Sequence, residues 1–160
     1  MILLTNSTIR DAAVTLGVII LCGSTAVFSQ TVTGKIADGS VTRGRPATAI
    51  VTLDIPSELH TNSNQPSQPE LIATMVKVAS KDIAVSAVKY PAGHDRKFEY
   101  ADKPLNVYEG KVDFTFQITV PSSYRSKEIS VDVDVRYQAC TEEVCYPPKI
   151  KTITLKAAVK

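Results

Sequence analysis

The sequence predicts an all-β protein built as an antiparallel sandwich. Apolar and polar residues alternate strictly over 111–120 and 129–138, so that each segment carries five apolar side chains on one face. Turn-forming groups such as Pro121-Ser122-Ser123 separate these runs, and we find no stretch with a helical apolar period. About seven to eight short strands at this spacing are typical of an immunoglobulin-like β-sandwich.

The strands are expected in a definite order along the chain. Besides the two strongest, the alternation predicts strands at 31–37, 47–55, 71–79 and 83–90, and a last one through Ile153, Leu155, Ala157 and Val159. The chain has no tryptophan and its last two cysteines are five positions apart, so the inter-sheet disulfide and buried Trp of antibody domains are not expected.

Length and charge limit the function classes. A chain of 160 residues has room for a single globular domain, and 44% hydrophobic content allows it a buried core. A net charge of +2, from 18 basic and 16 acidic residues, argues against a nucleic-acid partner.

The amino terminus has the pattern of an export signal. An uncharged, mostly apolar segment at 12–21 follows Arg10 and precedes a stretch of small residues. It is too short for a membrane span, since about 20 residues are needed to cross. Cleavage is expected after Ser29, or alternatively after Ala26, leaving residues 30–160 as the exported domain. A lipid anchor at Cys22 is a minor alternative, because Leu21 stands where lipoprotein signals carry a small residue.

Removal of residues 1–29 leaves two cysteines, Cys140 and Cys145. Four residues separate them, which permits a disulfide only if the chain folds back there as a hairpin. Such a bridge could simply stabilise the hairpin, yet closing so short a loop contributes only on the order of 2 kcal/mol. It could also open without unfolding the sandwich, as a redox carrier requires. Spacing alone fits both interpretations.

The surroundings of the pair bear on its chemistry. Glu142 and Glu143 lie between the cysteines and disfavour a thiolate, unless Arg136, Lys149 or Lys151 point the same way. Tyr146-Pro147-Pro148 follow, and two prolines make the chain stiff there and remove two amide donors. They either protect a sheet edge or form a rigid docking platform.

Residues Tyr137 to Pro148, YQACTEEVCYPP, resemble the motif of the amino-terminal periplasmic domain of the thiol:disulfide interchange protein DsbD. Weaker matches lie in the same order upstream, at 60–66, 88–93 and 98–110, so that the resemblance covers most of the chain from about residue 46.

The resemblance implies an immunoglobulin-like domain that takes electrons from a membrane-embedded donor and passes them to thioredoxin-like proteins outside the cytoplasm. It implies that Cys145 forms the mixed disulfide with a partner and that Cys140 resolves it. A cap loop carrying a Phe shields the cysteines in that family, and Lys97-Phe98-Glu99-Tyr100 stand where it is expected. Phe98 is the candidate, the alternative being an ordinary core aromatic. The domain would then be a component of a protein-disulfide reductase.

Two departures from the family bear on partner choice. Four residues separate the cysteines here, where the best-known members have five, and the aromatic pair that lines the pocket falls near His60 and Asn62. The sequence has no polytopic membrane segment and no thioredoxin-like C-x-x-C, so the donor is expected to be a separate protein.

Other kinds of site fit the sequence poorly. His60 and His94 with the two cysteines lack the spacing of a zinc site, neither histidine lies in a hydrolase motif, and no phosphate-binding loop occurs. No metal or cofactor is therefore expected. The polar stretch from His60 to Pro69 is expected to be a solvated loop. A structural or adhesive immunoglobulin-like module is the competing function.

Overall fold

The computed structural model describes residues 29–160, so the predicted signal segment lies almost entirely outside the described residues. The described part contains twelve strands and no α-helix. They are β1 (Thr31–Ile36), β2 (Ser40–Val41), β3 (Pro46–Ile55), β4 (His60–Asn62), β5 (Met75–Ala79), β6 (Ala84–Val85), β7 (His94–Arg96), β8 (Leu105–Tyr108), β9 (Gly110–Thr119), β10 (Glu128–Tyr137), β11 (Ala139–Cys140) and β12 (Lys149–Val159).

Three four-stranded sheets form, with strand orders β1-β3-β9-β6, β2-β12-β10-β5 and β11-β4-β8-β7. Neighbouring strands are antiparallel except for the short parallel pair of β2 and β12. The predicted all-β, antiparallel fold class is therefore confirmed. The strand count exceeds the expected seven to eight because several strands contain only two or three residues, too few for an alternating pattern to be recognised.

The core lies between the first two sheets, where the predicted alternation is borne out. The inward residues of β10 are all fully buried, from Ile129 to Tyr137 in steps of two, and those of β9 are buried likewise. β3 and β9 pair over ten residues, from Pro46 opposite Thr119 to Ile55 opposite Gly110. These long ladders form the framework that carries the smaller third sheet.

Two weaker strands are shorter than predicted. The segment 71–79 becomes a strand only from Met75, because the chain before it is bonded to β4: the Asn62 side chain donates to Ile72 O at 3.2 Å, and the Thr74 hydroxyl donates to Asn62 O at 2.6 Å. Residues 83–90 form only β6 and an isolated bridge from Lys89 to Thr115.

Candidate functional site

Cys140 and Cys145 are joined by a disulfide, with their Cα atoms 3.9 Å apart. The chain folds back between them as predicted: Thr141 N donates to Val144 O at 2.8 Å, and Tyr146 N donates to Ala139 O at 2.9 Å. The Thr141 hydroxyl accepts hydrogen bonds from the amides of Glu143 and Val144. A four-residue turn with its own hydrogen bonds thus holds the pair.

Cys140 lies outside the long strand β10. β10 ends at Tyr137, and after Gln138 the chain enters β11, which belongs to the third sheet and pairs with β4. Cys145 does not open the next strand either, since β12 begins at Lys149 beyond the two prolines, which lack the amide hydrogens a ladder needs. The redox loop, which we define as residues 139–148, therefore begins on β11 in the third sheet and leads back to β12 in the second sheet.

The two cysteines differ sharply in exposure. Cys140 is buried, with 2% of its surface exposed, whereas Cys145 is exposed, as are Val144 and Tyr146 on either side of it. Glu143, Pro147 and Pro148 are exposed as well. A partner protein approaching this loop would meet Cys145 first, within a surface that includes apolar side chains.

His60 lies directly opposite Cys140 in the register of β4 and β11. Residues His60 to Ser63 are no more than 2% exposed, so the expectation of a solvated loop is wrong for this part of 60–69. They are buried because β4 is the inner strand between β11 and β8 and is covered by the segment from Ile72 to Thr74. The Asn62 side chain helps to hold this covering segment in place through its hydrogen bond to Ile72 O.

Phe98 and Tyr100 stand against His60. The imidazole stacks on the Phe98 ring with centroids 4.2 Å apart, and Phe98 stacks in turn on Tyr100 at 5.3 Å. The Tyr100 hydroxyl lies 3.2 Å from His60 Nε2. Phe98 is 1% exposed and forms a small second core with Leu105 and Val107, so it also has the features of a core aromatic. Glu99, between the two rings, is exposed.

An ionic cluster that the sequence did not reveal joins this segment to the redox loop. Arg96 forms ion pairs with both Glu109 and Glu142, and His94 Nε2 lies 2.8 Å from the Glu109 carboxylate. The Arg96 guanidinium also lies over the Phe98 ring, 5.0 Å from its centroid. Arg96 was missed because it stands 46 positions before Glu142, and no local pattern marks it. From the sequence, the candidates to offset the charge of Glu142 were three other cations, Arg136, Lys149 and Lys151.

Burial and charge shift the proton affinity of the aromatic groups. Burial, reinforced by the nearby Arg96 charge, lowers the pKa of His60, although Glu109 and Glu142 oppose this effect. Burial also raises the pKa of Tyr100, and the Glu142 carboxylate adds to the increase. A neutral imidazole beside a neutral phenol is therefore the expected state at neutral pH.

Comparison with known proteins identifies the family. The model of the family "Thiol:disulfide interchange protein DsbD, N-terminal" matches residues 30–157. The chain belongs to this family. The DsbD proteins of Pseudoalteromonas atlantica and Actinobacillus pleuropneumoniae are 34% and 27% identical to it over 82 and 81 residues, about half of this chain. Those matches span only 13% and 12% of the relatives' own length.

Among solved structures, the DsbD N-terminal domain of Neisseria meningitidis in its reduced form aligns over 69% of this chain and 80% of its own, at 16% identity and a TM-score of 0.45. The periplasmic chaperone SfaE aligns over 79% of this chain and 56% of its own, at 11% identity and a TM-score of 0.35. Within residues 29–160, no helix is long and apolar enough to cross a membrane.

Proposed function

We propose that this DsbD N-terminal domain exchanges thiols and disulfides with thioredoxin-like proteins outside the cytoplasm, using Cys140 and Cys145. The observation that carries the proposal is the disulfide on a self-contained turn, with one cysteine exposed and the other buried. Its family membership supports the same activity. Opening the bridge frees only the redox loop, since β10 and β12 stay paired through ten residues on each strand.

The reaction begins with both cysteines reduced. The Cys145 thiolate attacks a disulfide of the partner, whose leaving sulfur departs as a thiolate, and a mixed disulfide forms. The Cys140 thiolate then attacks the Cys145 sulfur, which restores the internal disulfide and releases the partner's second sulfur as a thiolate. Two electrons pass to the partner, and a separate membrane protein would return two electrons to the domain.

The partner would dock on the exposed side of the redox loop, against Val144, Tyr146 and Pro147. Tyr146 and Val144 are about half exposed, at 46% and 54%, which leaves apolar area that a partner can cover. Tyr100, at 47%, would extend this surface beyond the ionic cluster. Phe98 and Glu99 belong to the same segment as Tyr100, and we propose that this segment limits access to Cys140 as a cap.

Export accompanies this function. We propose that residues 1–29 are a cleaved signal and that residues 30–160 work in the periplasm or outside the cell, with a lipid anchor at Cys22 as the minor alternative. The family match begins at residue 30, directly after the preferred cleavage site. A thiol-exchange domain needs a compartment in which disulfides persist. Amino-terminal sequencing of the exported protein tests the cleavage site.

A trapping experiment tests the exchange. Cys140→Ser is reduced and mixed with a thioredoxin-like protein that keeps only the first cysteine of its C-x-x-C motif, activated as a mixed disulfide with thionitrobenzoate. We expect a covalent adduct with Cys140→Ser and far less with Cys145→Ser, because Cys140 is buried. Equal trapping by both variants, or none by either, would contradict the assigned roles.

A further inference from the structure

The burial of Cys140 creates a proton-transfer problem. To resolve a mixed disulfide, its thiol must first lose a proton, because only the thiolate attacks. Burial in apolar surroundings raises the pKa of a thiol, and Cys140 is only 2% exposed. A base close to Cys140 would remove this obstacle.

His60 is the side chain that the sheet places beside Cys140. The two are direct partners in the antiparallel ladder of β4 and β11, and both are buried. Side chains of such partners project to the same face, with Cβ atoms about 4.5 to 5.5 Å apart. The ring is held by stacking on Phe98, with centroids 4.2 Å apart, and by the Tyr100 hydroxyl 3.2 Å from Nε2. Its position is therefore fixed from two further sides.

We propose, building on the exchange function above, that His60 accepts the proton of the Cys140 thiol in the resolving step and that Tyr100 links it to solvent. The Cys140 S–H proton passes to His60 Nδ1, while Nε2–H donates to the Tyr100 hydroxyl. The resulting thiolate attacks the Cys145 sulfur, the bond to the partner breaks, and the partner's sulfur leaves as a thiolate. The imidazolium then returns its proton to water through Tyr100, which is 47% exposed.

The charges around His60 suit this role. Burial and the charge of Arg96 on β7 keep the imidazole neutral before the reaction, so that it is able to accept a proton. Glu109, between β8 and β9, and Glu142 on the redox loop favour the imidazolium once it forms. The Phe98 face adds a cation–π attraction to a protonated ring stacked on it. These opposing effects keep both protonation states accessible.

A two-step thiol reaction tests the proposal. Reduced protein is mixed with the aromatic disulfide dithiobis(nitrobenzoate): attack by Cys145 releases the first thionitrobenzoate, and attack by Cys140 releases the second. In His60→Gln we expect the second release to slow by about 100-fold at neutral pH, the usual contribution of a general base, while the first release serves as the internal control. Tyr100→Phe should slow the second release to a smaller extent.

The pH profile separates proton transfer from a structural effect. The rates of wild type and His60→Gln should converge above about pH 10, where a thiol ionises without a base. A deficit that persists at all pH values, or an unchanged second release, would overturn the proposal. Because the reagent replaces the biological partner, a failure here is distinct from a failure of the trapping experiment.

A measurement on the wild-type protein covers the case in which His60→Gln does not fold. The imidazole signals of His60 are titrated by NMR in the oxidised and the reduced protein. We expect the His60 imidazole signals of the reduced protein, but not those of the oxidised protein, to show a second inflection at alkaline pH, where the Cys140 thiol beside the ring ionises. An identical His60 titration in both states would contradict the assignment.

Discussion

The imidazole of His60 and the phenyl ring of Phe98 lie nearly parallel, at 27°, with their centroids 4.2 Å apart. This contact joins the third sheet to the segment after β7, because His60 is on β4 and Phe98 follows Arg96. His60 is in turn the ladder partner of Cys140. A substitution at Phe98 should therefore alter the environment of Cys140, the buried cysteine of the disulfide.

Replacing Phe98 with Ala should have two linked effects. Truncating a buried Phe costs about 3 to 5 kcal/mol of unfolding free energy, which urea denaturation measures. Hydration of the space beside His60 should also raise the pKa of this residue towards its ordinary value, since burial is the main cause of its low pKa. Phe98→Leu, which keeps apolar volume, is the matched control with smaller effects. Unchanged stability in Phe98→Ala would contradict the observed burial.

The Arg96 charge offers an electrostatic test. Arg96→Met removes the cation that lowers the pKa of His60, so this pKa should rise, as followed by NMR titration. Lys111→Met is the charge-matched control, because the exposed Lys111 pairs with Asp54 at 3.8 Å and is not among the groups that shift His60. An equal shift in both variants would show that net charge, rather than the ionic cluster, sets the His60 pKa.

Burial of His60 in its neutral form predicts a pH dependence of stability. The pKa of His60 in the folded protein lies below the ordinary 6.5. Between these two values the unfolded chain binds more protons than the folded one. The contribution of His60 to the free energy of unfolding should be fully present above about pH 6.5. It should be lost as the pH drops through the pKa of His60 in the folded protein.

Urea titrations at several pH values measure this dependence. His60→Gln should flatten the profile between the two pKa values of His60. A wild-type stability that rises on acidification from pH 6.5 would contradict a neutral, buried His60.

Tyr137 and Tyr108 allow a comparison of how much a buried hydroxyl contributes to the free energy of unfolding without and with hydrogen-bond partners. The Tyr137 hydroxyl is buried without a hydrogen-bond partner among residues 29–160, whereas that of Tyr108 lies 2.6 Å from Asn64 Oδ1 and 2.9 Å from Pro91 O. Tyr137→Phe should thus be neutral or stabilising, while Tyr108→Phe should cost about 1 to 3 kcal/mol by urea denaturation. A comparable loss in both variants would indicate that Tyr137 has a partner in solution.

Long alternating segments made the sandwich predictable. A period of two that persists over ten residues predicts a buried face on β9 and on β10. Phe114 and Phe116 lie on the first of these faces, and Val133 and Val135 lie on the second. The position of the cysteine pair on a turn also followed from spacing and from the resemblance. Short strands such as β4 and β11 leave no such signal, and their pairing depends on contacts between residues some 80 positions apart, such as Thr61 and Ala139.

The surroundings of the pair were only partly predictable. The resemblance pointed to Phe98, Tyr100 and His60, and the structure brings these three together. The burial of His60 and the ion pairs of Arg96 were missed, because His60 stands in a polar stretch and Arg96 reaches Glu142 only through the fold. Composition and periodicity report on individual segments, whereas this site is assembled from four separate ones.

The reduction potential of the Cys140–Cys145 disulfide decides whether the pair is a carrier or a fixed bridge. Equilibration of the wild-type domain with glutathione or thioredoxin buffers, followed by alkylation and mass analysis, gives the fraction reduced at each poise. We expect a potential in the range of known carriers, about −120 to −270 mV. A potential below about −300 mV, where structural disulfides of secreted proteins lie, would contradict the exchange function.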